Sequence, residues 1–419
     1  MAPLPGSPVP RFAQQPVEAT LADTPVTVLQ GARQVGKSTL ARAVLDTRRA
    51  PLLSLDNAAV LSAARTDPDG FVRQREGLLG IDEAQRVPEL IRAIKDAVDE
   101  DRRPGRFLLT GSANLLHVPG TEESLAGRAE TVVLYGFSQG ELTGQPEDFL
   151  DRLLTGDLPS LASRTSRLTR ADYLSIVCAG SYPEPRTRPP NRRAAWYDNY
   201  IRRIVSADAR DLSRLGHLDR LPTLIRLIAA NTAGELVVSR LAADAGIPER
   251  SLPPYLDLLE TLYLVHRLPA WGGNLTRRVV GRPKLALLDT GLAARLINVT
   301  PQALAPGNTP DHAGSLLETF VSGELRRQGG WSQRQPQLFH FRDIDGGEVD
   351  IVVEGDDRTI AGIEVKAAMT VGAKDFRGLT LLRDKLGDRF RAGVVLHCGT
   401  TPLPFGDRLF ALPLAALWT

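Results

Sequence analysis

Val26-Thr27-Val28-Leu29-Gln30 runs directly into Gly31-Ala32-Arg33-Gln34-Val35-Gly36-Lys37-Ser38-Thr39, and this junction decides the fold. The first five residues are apolar and β-branched enough to read as a buried strand. The two glycines give the backbone the freedom to fold its N–H groups around an anion. Ser38 to about Thr47 reads as a helix, whose N-terminus adds partial positive charge. Strand, Gly-x-x-x-x-Gly-Lys-Ser turn and helix in that order predict a phosphate cradle made by residues 31–39. Lys37 is expected to reach the β- and γ-phosphates and Ser38 to ligate the metal, so ATP and Mg²⁺ are the expected ligands. A chance glycine-rich turn is the plain alternative.

Working outward, Leu52–Leu55, Leu78–Ile81, Arg106–Thr110 and Thr131–Tyr135 read as further strands, with a helix from Val87 to Asp99. Strands alternating with helices predict a parallel sheet with right-handed crossovers. Asp82 closes the third strand, where a phosphate-binding enzyme needs a second metal-binding group. Glu83 follows and is the candidate to polarise an attacking water, or else part of a solvated helix start. Thr110 and Ser112 close the fourth strand and would face the γ-phosphate or the water; a turn serine capping the next helix is the alternative. Arg128 precedes the fifth strand and is a candidate arginine finger toward a neighbouring subunit, or an ordinary surface arginine.

Beyond about residue 145 the strands give way to helices broken at Gly180–Pro185 and Arg188–Asn191. Residues 221–268 read as three helices and a strand, the order of a winged helix-turn-helix. Its third helix carries Asp257 and Glu260, a poor surface for phosphates. The basic stretch from Thr276 to Lys284 is the better wing candidate, and protein packing is the alternative to DNA contact. After a Pro- and Gly-rich loop at 301–310, a helix from Ser315 to Gln328 leads into a second α/β unit. There Asp350 lies on one strand, at the end of Glu348-Val349-Asp350, and Glu364-Val365-Lys366 ends the next. Residues i and i+2 share a strand face, so Glu364 and Lys366 point the same way. With Glu318 on the preceding helix this pattern resembles a PD-(D/E)xK nuclease site. Glu318, Asp350 and Glu364 would hold Mg²⁺, and Lys366 would orient the attacking water. A nuclease-like fold that binds without cutting, and a chance ion pair, are the alternatives.

The stretches Val26–Ser38, Ile81-Asp82-Glu83-Ala84-Gln85-Arg86-Val87-Pro88-Glu89-Leu90, Phe107–Ser112 and Ser124–Arg128 resemble the prokaryotic AAA+-like ATPases that carry a C-terminal domain of unknown function, DUF4143. Phe339-His340-Phe341-Arg342-Asp343 and Ile363–Lys366 resemble that C-terminal domain. The likeness covers nearly the whole chain after its start. One departure is Gly80, where a bulky apolar residue is expected in the strand before Asp82. Together these readings give an α/β multidomain protein: an arm (1–16), a P-loop ATPase domain (17–145), a helical linker (146–220), a winged helix (221–300) and a PD-(D/E)xK-like domain (311–419). The expected function is ATP hydrolysis coupled to a nucleic-acid-processing domain. The alternatives are an ATPase regulator of defence or toxin–antitoxin type, and a DNA-binding transcriptional regulator.

Bulk properties set the limits. The chain has 419 residues, 42% apolar and 24% charged, with a net charge of only +2. Any affinity for DNA or RNA must therefore come from local patches. Two distant cysteines and six scattered histidines argue against disulfides and zinc. The start of the chain lacks the pattern of a signal peptide and no run is long enough to span a bilayer, so a cytoplasmic protein without membrane contact is expected. A protein partner and an oligomer both remain open. Only six of the 51 basic residues are lysines, and two of these, Lys37 and Lys366, fall in the two sharpest motifs.

Overall fold

The structure is a computed structural model, and it describes residues 9–112, 125–205, 209, 215–216, 218–273, 281–305, 312–343 and 346–419. Its first sheet holds β1 (Val26–Gln30), β2 (Leu52–Ser54), β3 (Leu79–Asp82), β4 (Phe107–Gly111) and β5 (Ala129–Val133) in the order β2-β3-β4-β1-β5. All neighbours are parallel. Parallel sheets need cover on both faces, and alternation along the strands provides it. Val26, Val28, Ile81, Phe107 and Leu109 pack with the helix Glu89–Glu100 on one face. Leu29 and Leu108 pack with Leu40, Val44 and Leu45 of the helix Lys37–Thr47 on the other.

A second small sheet, β6 (Gly234–Glu235), β7 (Val265–Leu268) and β8 (Lys284–Leu287), is antiparallel in the order β6-β8-β7. It accompanies the helices Leu221–Ala230, Val238–Ala245 and Leu252–Thr261. Residues 276–280 of the basic stretch lie outside the described residues.

The third sheet holds β9 (Gln337–Arg342), β10 (Glu348–Glu354), β11 (Ile360–Lys366), β12 (Phe390–His397), β13 (Leu403–Pro404) and β14 (Leu409–Pro413), ordered β13-β14-β12-β11-β10-β9. The long helix Ala313–Gly329 covers one face through Leu316, Leu317, Phe320 and Val321 against Ile351, Ile363 and Val394. Leu379 and Leu382 of the helix Arg377–Leu386 cover the other against Val349, Val352 and Ile360. One buried apolar cluster runs from Val17 and Leu29 through Tyr197, Leu224 and Leu259 to Ile351 and Leu417, so the three sheets share a core.

Two details differ from expectation. The helix Gln14–Asp23 begins inside the expected arm, and Arg11 to Ala13 are already packed: Phe12 N donates to Glu141 Oε1 at 2.8 Å and Ala13 is buried. Gly80, where a bulky apolar residue was expected, is a packing requirement. A Cβ there would lie 2.3 Å from Leu45 Cδ1 and 3.0 Å from the Pro51 carbonyl oxygen.

Candidate functional site

Gly31 takes φ 149°, and a Cβ there would stand 2.0 Å from the Leu134 carbonyl oxygen, so glycine is required where the chain leaves β1. Gly36 at φ 100° and Gln34 at φ 66° complete the turn with left-handed backbone. Ala32 and Val35 are buried beneath the turn, Arg33 is half-buried, and Gln34 and Thr39 form its outer rim. The Lys37 ammonium, in a residue only 5% exposed, donates to the carbonyl oxygens of Gly31 and Ala32, both at 2.9 Å. The loop is braced from outside. Arg11 Nη1 donates to the Val35 carbonyl at 2.9 Å, Tyr200 Oη to the Arg33 carbonyl at 3.3 Å and Tyr263 Oη to Gln30 Oε1 at 2.8 Å.

The strand order places β4 between β1 and β3, so Thr110 and Ser112 stand between the cradle and the acidic pair. Buried Asp82 collects three hydroxyls: Ser38 at 2.7 Å and Thr110 at 2.5 Å on Oδ1, and Ser54 at 3.1 Å on Oδ2. Glu83 sits at φ 59°. Its amide donates to Thr110 Oγ1 at 3.1 Å, and its carboxylate accepts from Ser112 Oγ at 3.2 Å and from Gln85 Nε2. The donor set fits Mg²⁺ beside a nucleotide: one hydroxyl and one carboxylate oxygen already within 2.7 Å, at the mouth of a helix N-terminus.

Arg128 is not brought to this face. It precedes Ala129, which pairs with Val26 at the start of β1. Five strand residues at roughly 3.3 Å each separate that end from the cradle. Its guanidinium grips Asp99 in a bidentate pair, Nε–Oδ1 at 2.7 Å and Nη2–Oδ2 at 2.8 Å.

In the third sheet Asp350 and Glu364 do come together: Asp350 N donates to Glu364 Oε2 at 3.3 Å, and Val365 N to Asp350 Oδ2 at 2.8 Å. Lys366 Nζ donates to Glu364 Oε1 at 2.8 Å. The remaining partner is unexpected. Lys284, from β8, drives its ammonium into the cluster, 2.7 Å from Glu318, 3.1 Å from Glu348 and 3.6 Å from Asp350. Burial and Asp350 push Glu318 up to about 8 and Glu364 up to about 7, so the cluster retains protons near neutrality. Burial lowers the Lys284 pKa, but Glu318, Asp350 and Glu348 outweigh it and hold the ammonium charged. Among the described residues no three His, Cys, Asp or Glu side chains are grouped to hold a metal. The trio Glu318, Asp350 and Glu364 therefore does not fit the Mg²⁺ expected there, because its oxygens are already engaged by two ammonium groups and two backbone amides.

Family comparisons match residues 23–143 to an AAA domain, 170–303 to a domain of unknown function (DUF8612) and 313–417 to a domain of unknown function (DUF4143). The uncharacterized proteins Rv2008c of Mycobacterium tuberculosis and Mb2031c of Mycobacterium bovis are each 30% identical over 414 residues, 98% of this chain and 84% of theirs. The chain belongs to the P-loop ATPase family with a C-terminal DUF4143 domain. Among solved structures, the Walker-type ATPase of Pyrococcus abyssi is 17% identical, spanning 69% of this chain and 96% of that one with a TM-score of 0.43. The RuvB Holliday junction branch migration motor of Thermotoga maritima is 19% identical over 65% of this chain and 89% of that one, with a TM-score of 0.24.

Within this P-loop ATPase, sequence reading missed Ser54, Gln85 and Arg11 around the cradle, and Lys284 and Glu348 around the DUF4143 cluster. Two of these carried a signal. Glu348 stands two residues before Asp350 on one strand face. Lys284 is one of only six lysines. Among the described residues no helix is long and apolar enough to cross a membrane.

Proposed function

We propose that this chain hydrolyses ATP with Mg²⁺ and relays its nucleotide state to the helical region and the DUF4143 domain. The observation that carries the reading is the Ser38–Asp82–Thr110 cluster beside the buried Lys37 ammonium, with Glu83 fixed next to it. Lys37 exchanges the carbonyls of Gly31 and Ala32 for phosphate oxygens, which offer it stronger charge-assisted bonds. Ser38 and Asp82 would hold Mg²⁺, which would supply positive charge beside the transferred phosphoryl group. Glu83 accepts the proton of the attacking water, and Ser112 and Gln85 aim its carboxylate.

The relay follows from who braces the cradle. Tyr200 on the helix Pro190–Arg203 and Tyr263 before β7 both bond to residues of the loop or its strand. A change in the loop backbone on nucleotide binding alters these bonds first. The units with β6, β7 and β8 have the helix and strand order of a winged helix, and packing is the role their geometry favours. Asp257 and Glu260 on the third helix are paired by Arg267, at 2.9 and 2.5 Å, rather than presented to phosphates. For the DUF4143 domain, binding a protein partner is favoured over cutting nucleic acid, since its acidic cluster already holds Lys284.

Phosphate release at saturating Mg²⁺-ATP tests the proposal. Glu83→Gln should lower turnover by roughly 10²-fold or more while ATP still binds, because only proton acceptance is removed. Equal turnover in wild type and Glu83→Gln would sink the assignment of the base.

A further inference from the structure

The DUF4143 domain presents four carboxylates, Glu318, Glu348, Asp350 and Glu364, in the pattern that elsewhere suggests a divalent metal. Every one of them is engaged by the chain itself. Lys366 serves Glu364, the Val365 amide serves Asp350, and Lys284 stands within 3.6 Å of the other three side chains. The Lys284 side chain is 5% exposed. It does not belong to the same sheet: it opens β8, paired to β7 and β6, and reaches across to the helix Ala313–Gly329 and to β10.

We propose that Lys284 is the resident cation of this site, an intramolecular clasp that takes the place of a divalent metal and pins the DUF4143 domain to the β6-β8-β7 unit. The choice of residue supports it. Where this chain needs a cation it uses arginine in all but six of 51 cases. Arginine's donors are fixed in one plane, whereas an ammonium is a compact charge whose three donors rotate to serve carboxylates arranged around it. The seam around the clasp is continuous. Trp271 N donates to the His340 carbonyl at 2.6 Å, Arg342 meets Glu235 at 3.2 Å, His340 Nε2 lies 2.9 Å from the Arg282 carbonyl and His266 Nε2 3.2 Å from Ser322 Oγ.

The test is Mn²⁺ binding, followed by electron paramagnetic resonance, and thermal melting of the full chain. Every protein carries Asp82→Asn so that the cradle does not bind the ion. With Lys284 in place, Mn²⁺ should bind no more tightly than in the further Asp350→Asn variant, and neither Mn²⁺ nor a chelator should move the Tm. Lys284→Met leaves the carboxylates uncompensated. Its Tm should fall by about 5 °C in chelator and recover with Mn²⁺, and Asp350→Asn should remove the recovery. Mn²⁺ bound by the Lys284 protein and lost with Asp350→Asn would overturn the proposal. So would a Lys284→Met protein whose Tm is unchanged. Should Lys284→Met fail to fold, the comparison of the Lys284 protein with and without Asp350→Asn still decides it.

Discussion

Gly80 and Arg11 show how much of the cradle is set by single residues that do not touch a nucleotide. A Cβ at Gly80 presses on Leu45 of the cradle helix and on the Pro51 carbonyl. Gly80→Val should therefore cost about 1–3 kcal/mol as an overpacked core, read as a lowered denaturation midpoint, whereas equal stability would show that the helix can shift freely. Arg11 lies between Glu141 at 3.0 Å and the carbonyls of Val35 and Tyr135, with side-chain exposures of 9% for the arginine and 1% for the glutamate. Removing one partner of a buried pair leaves an uncompensated charge, so Arg11→Ala should destabilise by roughly 3 kcal/mol and weaken nucleotide binding by loosening Val35. Wild-type melting and affinity in that variant would contradict the bracing role. Neither residue announces itself in the sequence. The glycines of the cradle, Lys37, Ser38 and the Asp82-Glu83 pair do, because their chemistry is local and their spacing is fixed by one turn and one strand end.

At the scale of elements, what could be read depended on strand direction. The first sheet was legible from alternating runs, and so was the pairing of β10 with β11 that brings Asp350 to Glu364. Arg128 was read as a finger toward a neighbouring subunit, and its place just before β5 fixes which end of the sheet it occupies. In a parallel sheet the entry of β5 lies at the far end from the cradle, where Asp99 takes the guanidinium. The short strands β6, β8, β13 and β14 were not legible, since two to five residues with no motif or regular strand–helix alternation beside them carry too little periodicity to be separated from loop. The capped helix Gln139–Thr143 yields a pH prediction. Glu147 accepts from Gly140 N at 2.6 Å, and burial, with Glu324 nearby, pushes it up to about 9. The folded chain keeps this proton where the unfolded chain gives it up, so its contribution is full below about pH 4.5 and lost as pH rises toward 9. Glu147→Gln should melt with a shallower loss of stability between pH 5 and 9 than wild type. Parallel pH profiles would count against a protonated Glu147.

Over the whole molecule, the three sheets share one core, and the contacts that join them cluster at the cradle's rim and along the Lys284 seam. Such contacts link residues more than a hundred positions apart, as Arg33 with Tyr200 or Gln30 with Tyr263, and no periodic signal predicts them. In the proposed relay they are the path from nucleotide to the distant domains. Tyr263→Phe keeps the ring and removes the bond to Gln30. Hydrogen exchange in β7 should then respond less to ATP than in wild type, while an unchanged response would remove Tyr263 from the relay. All of this depends on the cradle binding Mg²⁺-ATP. Calorimetric titration of ATP into wild type and Lys37→Ala, with and without Mg²⁺, tests that most directly. Binding should be strengthened by Mg²⁺ and weakened at least tenfold in Lys37→Ala, about 1.4 kcal/mol or more. Equal affinity in the two proteins, or none in well-folded wild type, would contradict a nucleotide cradle at residues 31–39.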